Sequence, residues 1–389
     1  MSTPPLHIVI ATGQNQANLI PALQCRAQEV WILETPAMQR LRSAAHLVTA
    51  LNAHGIAART LPFADDDVTT LHRQAERIAR EVGSRAVTIN FTGGTKPMTL
   101  ALVQTLAADL ATAPGAEPPH LVYCDTKNRR LDWLAPQPRS EAMQPVLGID
   151  DILLVQGYRR VGGTGGPNLA GWQAAAQERA DLTRWLGEHS AELGGFLGAL
   201  NHVANAARAD PHRHKPFEPE QRLRHIPNGA PKELLRRACA HGLISWGGAD
   251  TVHFHDDSAA QYLGGGWVEE LAALKMRGLR PNGGWEPRLC IEHVDTRTRN
   301  ELDAVLVHDN RMLVVECKAA RPDDDLSDWI YKLAKLAEAV GGQMAQAMLL
   351  SAREMNQAQR NRAKEYRVDV LSAGELRQLP ERLRHWTQA

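Results

Sequence analysis

The stretch Glu301–Lys318, ELDAVLVHDNRMLVVECK, constrains this chain more than any other. Two apolar runs flank an Asp-Asn dipeptide, and both residue types tolerate the left-handed backbone that a two-residue hairpin turn requires. With Asp309 and Asn310 at the turn, Asp303 faces Glu316 and Glu301 faces Lys318. Period-two alternation then places Glu316 and Lys318 on one face with Met312 and Val314, while Leu313, Val315 and Cys317 point the other way. Facing β-carbons lie about 4.5–5.5 Å apart, so two carboxylates there repel unless a cation sits between them. Oxygen donors alone, the two acids and the main-chain carbonyl of Cys317, suit Mg²⁺ or Mn²⁺ rather than zinc. Lys318 is placed to orient a water or offset charge developing on a phosphate. The plainer alternative is a half-exposed acid beside a surface cross-strand ion pair, since acid-x-Lys alone is common. The hairpin register, the apolar strands, the preceding helix carrying Glu269 and Glu270, and the amphipathic helix that follows weigh against it.

At 389 residues the chain is long enough for two or three domains, and 43% hydrophobic with 23% charged residues is an ordinary globular balance. Lys plus Arg and Asp plus Glu number 44 each, so no global field draws the molecule onto nucleic acid or lipid, and any phosphate binding is local. Five scattered cysteines without a C-x-x-C pair argue against a disulfide framework and a zinc knuckle. No run reaches the roughly 18 apolar residues of a membrane span, and the N-terminus lacks a basic leader. A cytoplasmic protein with no membrane partner is the expectation.

Residues 1 to about 150 alternate strand-like runs (Leu6–Ala11, Glu29–Glu34, Ala86–Phe91, His120–Asp125) with helix-period segments, which predicts a parallel sheet covered on both faces. Gly162–Gly166 reads as a linker, and Leu263–Trp267 as a second break. Between them lie a helical stretch from Trp172 to Ala207 and a helix followed by a small β-wing. Arg208–Arg237 carries eight Lys or Arg against four Asp or Glu, which fits either phosphate contact or a solvated face. The last 125 or so residues run α-β-β-β-α-β, a compact mixed-sheet domain. The two Asp triplets, Asp65–Asp67 and Asp323–Asp325, read as solvated loops or helix-start acids.

INFTGGTKPMTLAL is a buried strand, a Thr-Gly-Gly-Thr turn and a helix opened by Lys96 and Pro97, an arrangement that exposes main-chain N–H groups to an anion. Its spacing matches neither a P-loop nor a dinucleotide fingerprint. The loop Thr12–Asn18 follows the first strand at the same carboxyl edge, where open α/β sheets bind ligands, and its neutral amides suit a base or ribose.

Two resemblances follow from these residues. The C-terminal segment resembles the PD-(D/E)xK nuclease superfamily: Asp303 matches the strand acid, Glu316-Cys317-Lys318 the (D/E)xK element, and Glu269 the acid of the leading helix, with Glu270 the alternative. The Pro before the strand acid is replaced by Leu302. NFTGGTKPM closely resembles the ligand motif of CARF domains, and the conjunction is similar to type III CRISPR ancillary nucleases that join CARF and PD-(D/E)xK domains. The resemblance implies a Rossmann-like CARF domain (1–160), a linker and winged-helix-like module (161–262) and a restriction-endonuclease-like α/β domain (263–389). It implies a homodimer activated by a cyclic oligoadenylate, cyclic tetra-adenylate by preference, bound by Thr12, Gly13, Gln14, Asn15, Gln16, Asn18, Thr92, Gly93, Gly94, Thr95, Lys96 and Met98. The implied activity is metal-dependent hydrolysis of DNA or RNA with Glu269, Asp303, Glu316 and Lys318 catalytic, the ion held by Asp303, Glu316 and Cys317. Two other readings stand beside it: a metal-independent HEPN-type ribonuclease using Arg236 and His241 or Arg208 and His214, and a ligand-responsive DNA-binding regulator with an inactive nuclease fold.

Overall fold

The computed structural model describes residues 5–64, 67–112, 115–161, 169–210, 214–319 and 326–388. Gly162–Gly166, Asp65, Asp66 and Asp323–Asp325 lie outside these residues. The strands are β1 (Leu6–Ile10), β2 (Glu29–Glu34), β3 (Ala57–Pro62), β4 (Val87–Asn90), β5 (His120–Asp125), β6 (Arg130–Ala135), β7 (Arg139–Ala142), β8 (Tyr158–Arg160), β9 (Glu220–Arg222), β10 (Ile244–Ser245), β11 (Thr251–Phe254), β12 (Trp285–His293), β13 (Arg299–His308), β14 (Arg311–Lys318), β15 (Ala345–Ser351) and β16 (Val368–Ser372).

The first sheet has the order β3-β2-β1-β4-β5-β6-β7. Its first five strands are parallel, but β6 and β7 continue it antiparallel, which corrects the expectation of a purely parallel sheet. The sequence reading overlooked β3, β6 and β7: AARTLP and RSEA lie at the two edges and are largely exposed, so neither needs an apolar face, while β6 buries only Leu131 and Trp133 in a short run broken by charges. Chain order reverses between β1 and β4, and the crevice outside their carboxyl ends is where such sheets bind ligands. Both glycine-turn and Thr12 loops open there. The helix Gln16–Gln24 begins inside the segment read as a loop, so Gln16 and Asn18 stand on a helix. Asp67 caps the helix Val68–Val82 through a 2.7 Å bond from the Thr70 N–H, the helix-start role open to that acid.

Three helices (Leu169–Glu178, Ala180–Leu193, Gly195–Ala207) precede a helix at Ala230–Ala240 and the three-stranded antiparallel sheet β10-β11-β9. This is the winged-helix-like module. The second break is no break: Tyr262–Gly266 forms a π-helical turn, kinked at Gly265 (φ 140°), that feeds directly into the helix Trp267–Arg277. Tyr262, Leu263 and Trp267 are buried there.

The second large sheet runs β16-β15-β14-β13-β12-β8, with β14, β15 and β16 parallel and β12, β13 and β14 antiparallel. Its two faces follow the alternation of the hairpin. Val305, Val307, Met312 and Val314 pack with the helix Leu326–Gly341 in a core that also holds the helices flanking the first sheet, Leu19, Leu47 and Ile152 among them. Ala304, Leu306, Leu313, Val315 and Cys317 pack into a second core with Trp267, Leu271 and the middle helices. One continuous apolar layer therefore joins the first sheet to the second, and burial of this kind contributes about 25 cal/mol per Å² of apolar surface. Among the described residues no helix is long and apolar enough to cross a membrane.

Candidate active site

Asp309 and Asn310 both have positive φ, 49° and 62°, the pair of left-handed residues that a type I′ turn demands. The rungs run from His308–Arg311 to Ala304–Val315, as expected from that turn. Just beyond, the Asp303 carboxylate accepts the Cys317 N–H at 2.7 Å. Lys318 Nζ pairs with Glu316 and lies 4.3 Å over the Trp329 ring. Glu301 does not meet Lys318. Arg288 on β12 takes it instead, with Nε 3.3 Å from Glu301 and 3.7 Å from Glu269.

The two acids on the leading helix part company. Glu270 is 1% exposed and is held by the Arg179 guanidinium, its Nε donating at 3.1 and 3.0 Å to the two carboxylate oxygens, with Thr183 Oγ1 at 3.4 Å. Glu269 faces Arg288 and the charges of the hairpin. Burial raises its pKa, with Arg288 partly offsetting that.

The charge balance at this face is the informative feature. Burial, reinforced by Glu316 and then Glu269, pushes Asp303 up to about 8 even though the Cys317 N–H and Lys318 favour its carboxylate. For Lys318, burial works against the ammonium, but Glu316 outweighs it and the pKa rises. Glu269, Glu301, Asp303 and Glu316 thus converge against two cations, Arg288 and Lys318. Glu269, Asp303 and Glu316 are half-buried and Glu301 is exposed, and oxygen donors of this kind suit a hard divalent ion. Among the described residues no three His, Cys, Asp or Glu side chains are gathered closely enough to hold a metal by themselves. Asp303, Glu316 and the Cys317 carbonyl are the candidate oxygen donors, and an ion of the Mg²⁺ type keeps waters at its remaining positions. The Cys317 thiol is buried on the opposite face, its pKa raised by that burial, so only its carbonyl is a candidate ligand.

At the crevice of the first sheet, a cavity of about 320 Å³ is lined by Thr12, Gly13, Gln14, Gln16, Asn18, Thr92, Gly93 and Gly94. Four other residues expected at the ligand do not line it. Asn15 is 1% exposed and braces the loop, accepting from the Thr12 N–H at 3.0 Å and donating to Ser43 Oγ at 2.7 Å. Met98 is buried beneath the glycine turn, its sulfur accepting from the Thr95 N–H at 3.4 Å. Thr95 and Lys96 are exposed beside the opening. Asn90 ties the two loops together, donating to Ala17 O at 2.8 Å and accepting from Thr92 Oγ1 at 2.6 Å.

The sequence reading missed Tyr123 and Thr126 on one wall and Gln343 and Met344 on another, as well as Arg288 and Trp329 at the acidic face. Tyr123 alone carried a signal, an aromatic in the carboxyl-terminal half of a strand; the others arrive through tertiary packing.

Residues 7–151 match the model of the Card1 CARF domain. Residues 256–389 match that of the Card1-like endonuclease domain. The chain belongs to the CARF–nuclease family of CRISPR ancillary proteins. No curated protein sequence matches it. Among solved structures, protein VC1899 from Vibrio cholerae superposes with a TM-score of 0.81 at 18% identity, covering 98% of both chains. Can2 from Sulfobacillus thermosulfidooxidans, solved in complex with cyclic tetra-adenylate, gives 0.77 at 20% identity and 99% of both chains. A type III CRISPR defence DNA nuclease activated by cyclic oligoadenylate gives 0.51 at 18% identity, covering 90% of this chain and 46% of its own. The two matches place the crevice of the first sheet in the CARF domain and the acidic face of β13 and β14 in the Card1-like endonuclease domain.

The HEPN-type pairing finds little support in the geometry. Arg236 reaches Glu233 at 3.5 Å while His241 reaches Asp181 at 3.2 Å. In the basic stretch, Arg208, Arg222 and Arg237 are likewise drawn to Asp257, Asp250 and Glu233.

Proposed function

We propose that this protein is a nuclease switched on by cyclic tetra-adenylate and dependent on Mn²⁺ or Mg²⁺, acting on phosphodiester bonds of DNA or RNA. The observation that carries the reading is the convergence of Asp303, Glu316 and Lys318 on one strand face in a chain whose other end is a CARF domain. A divalent ion held by Asp303, Glu316 and the Cys317 carbonyl supplies Lewis-acid stabilisation of a phosphate and a water of lowered pKa. Glu269 and Arg288 set the field around Asp303, and the indole of Trp329 backs Lys318, which orients the attacking water or meets charge building on the phosphate oxygens.

The ligand half of the reading rests on the crevice. Amides of Gln14 and Gln16 offer donors and acceptors to base edges, with Asn18 buried beneath them and bonded to Ile10 O and Asn15, and the partly exposed ring of Tyr123 offers a stacking face for adenine. At about 320 Å³ the cavity is at the small end of ligand sites, too small to enclose a four-nucleotide ring. A homodimer whose twofold axis passes beside the crevice doubles it, each protomer taking half of a symmetric ring.

The test incubates purified protein with Mn²⁺ or Mg²⁺, rings of different sizes, and labelled single- and double-stranded DNA and RNA. Cleavage that requires both ring and metal and is lost in Glu316→Ala supports the reading. Cleavage persisting in EDTA, or tight duplex binding without cleavage in every combination, overturns it in favour of a metal-independent ribonuclease or a regulator.

A further inference from the structure

The sensor's cavity is not made by the sensor alone. Gln343 and Met344, which line it, belong to the turn between the helix Leu326–Gly341 and β15 in the nuclease domain. Gln16 Nε2 donates to Gly341 O at 2.9 Å, and the Gln343 N–H donates to Gln14 Oε1 at 2.9 Å. The same two glutamines that face the crevice therefore grip the main chain of the nuclease domain. A third, Gln156 at the end of the sensor, closes on the same point: a methyl group on Gly342 would overlap Gln14 Oε1, lie 2.6 Å from Gln156 Nε2 and 3.2 Å from Gln16 Oε1. Gln156 Nε2 is buried with no hydrogen-bond partner, a donor left over where the two domains meet. Gly342 has φ 61°, so the turn needs glycine for backbone geometry as well as for space.

The helix that ends at this turn begins next to the acidic face. Its Trp329 lies under Lys318, and from Trp329 to Gly341 it spans about 18 Å at about 1.5 Å per residue. A packed helix moves as a unit, because side chains of its apolar stripe (Ile330, Leu333, Ala337, Val340) are locked in the shared core.

We propose that the Gly341–Met344 turn is a wall of the ligand site and the element that relays its occupancy, positioning Trp329 and hence Lys318 through the helix Leu326–Gly341. This rests on the reading of the crevice as the ring site. A ring competing for the amides of Gln14 and Gln16 exchanges their bonds to Gly341 and Gln343, which gives it differential affinity for two positions of the helix, the requirement for any ligand-driven switch. Trp329 is a positioning residue, acting on the reaction only through Lys318.

Reciprocity of binding makes the relay measurable. The affinity of full-length protein for cyclic tetra-adenylate is determined by calorimetry with and without Mn²⁺ plus a non-cleavable phosphorothioate strand, for wild type, Gly342→Ala and Trp329→Leu. Coupling through the turn gives wild type a ratio of at least about fivefold and both variants less than about twofold. Trp329→Leu should keep its strand-free ring affinity within about threefold of wild type, since it lies far from the cavity. A folded Gly342→Ala or Trp329→Leu protein with the wild-type ratio overturns the relay while leaving the nuclease reading intact. If thermal melting shows that Gly342→Ala does not fold, Trp329→Leu decides alone. A wild-type protein that fails to bind the ring overturns the functional reading, and the relay with it.

Discussion

Asp303 Oδ2 receives the main-chain N–H of Cys317 at 2.7 Å, one rung beyond Ala304–Val315, where the ladder between β13 and β14 stops. A side chain has replaced a main-chain acceptor, and the strands are free to part where Glu316 and Lys318 emerge. The bond also fixes the Asp303 carboxylate beside the atoms proposed to share its ion. Such a site has consequences for activity, proton uptake and stability that can be separated.

Asp303→Asn removes a half-buried carboxylate that desolvation and its acidic neighbours hold in an unfavourable state. Cleavage should fall by at least about a hundredfold, the scale seen when charge-stabilising groups are removed from active sites. The metal-free melting temperature should stay level or rise, and the increase produced by Mn²⁺ in wild type should vanish. Differential scanning fluorimetry in EDTA and in Mn²⁺ gives both numbers.

Proton release should accompany metal uptake. The Asp303 pKa is about 8 in the folded protein against an ordinary 3.8, so below about pH 8 an arriving ion displaces a proton and its affinity rises with pH, by up to about tenfold per unit, levelling off above. Calorimetry in buffers of different ionisation enthalpy checks this. For the apo protein the sign is opposite: between those two values the folded state holds a proton that the unfolded state has lost. Asp303's contribution to stability is therefore fully present below about pH 3.8 and is lost as pH rises through about 8.

Glu269 and Glu270 should separate in their effects. Arg179→Met leaves Glu270 buried without its cation and should cost about 3–5 kcal/mol in urea unfolding. Glu269→Gln should leave stability nearly unchanged while changing the pH profile of cleavage, because Glu269 acts on Asp303 through its charge.

Asn310 ties the hairpin tip to the end of the CARF domain. Its Oδ1 accepts from the N–H groups of Val146 and Leu147 at 2.9 Å each, and its Nδ2 donates to Gln144 O at 2.7 Å. Asn310→Gly keeps the left-handed turn but orphans two amides, and a loss of about 2–4 kcal/mol in urea unfolding is expected. Asn310→Ala should lose more, since it adds strain at φ 62°.

Gly93→Ala should abolish ring binding in equilibrium dialysis. A methyl group there would overlap Ile10 O and lie 2.8 Å from Thr12 Cγ2, forcing the glycine turn off the end of β1 and distorting the crevice.

The local chemistry of the chain was legible without coordinates. Asp309-Asn310 set the hairpin register, and alternation then placed Asp303 and Glu316 on one face, because a turn type and a period of two leave few alternatives. The glycine turn was likewise readable as a strand-to-helix junction at a ligand edge. The edge strands β3 and β7 were not, since strands without a buried face carry no apolar pattern. Tertiary structure decided the rest: that Arg288 rather than Lys318 meets Glu301, that Glu270 turns to Arg179, and that Gln343 and Met344, more than three hundred residues from Gln14, close the crevice. These depend on the docking of separate elements, and no spacing along the chain encodes which buried charge meets which partner once whole helices and sheets share a core.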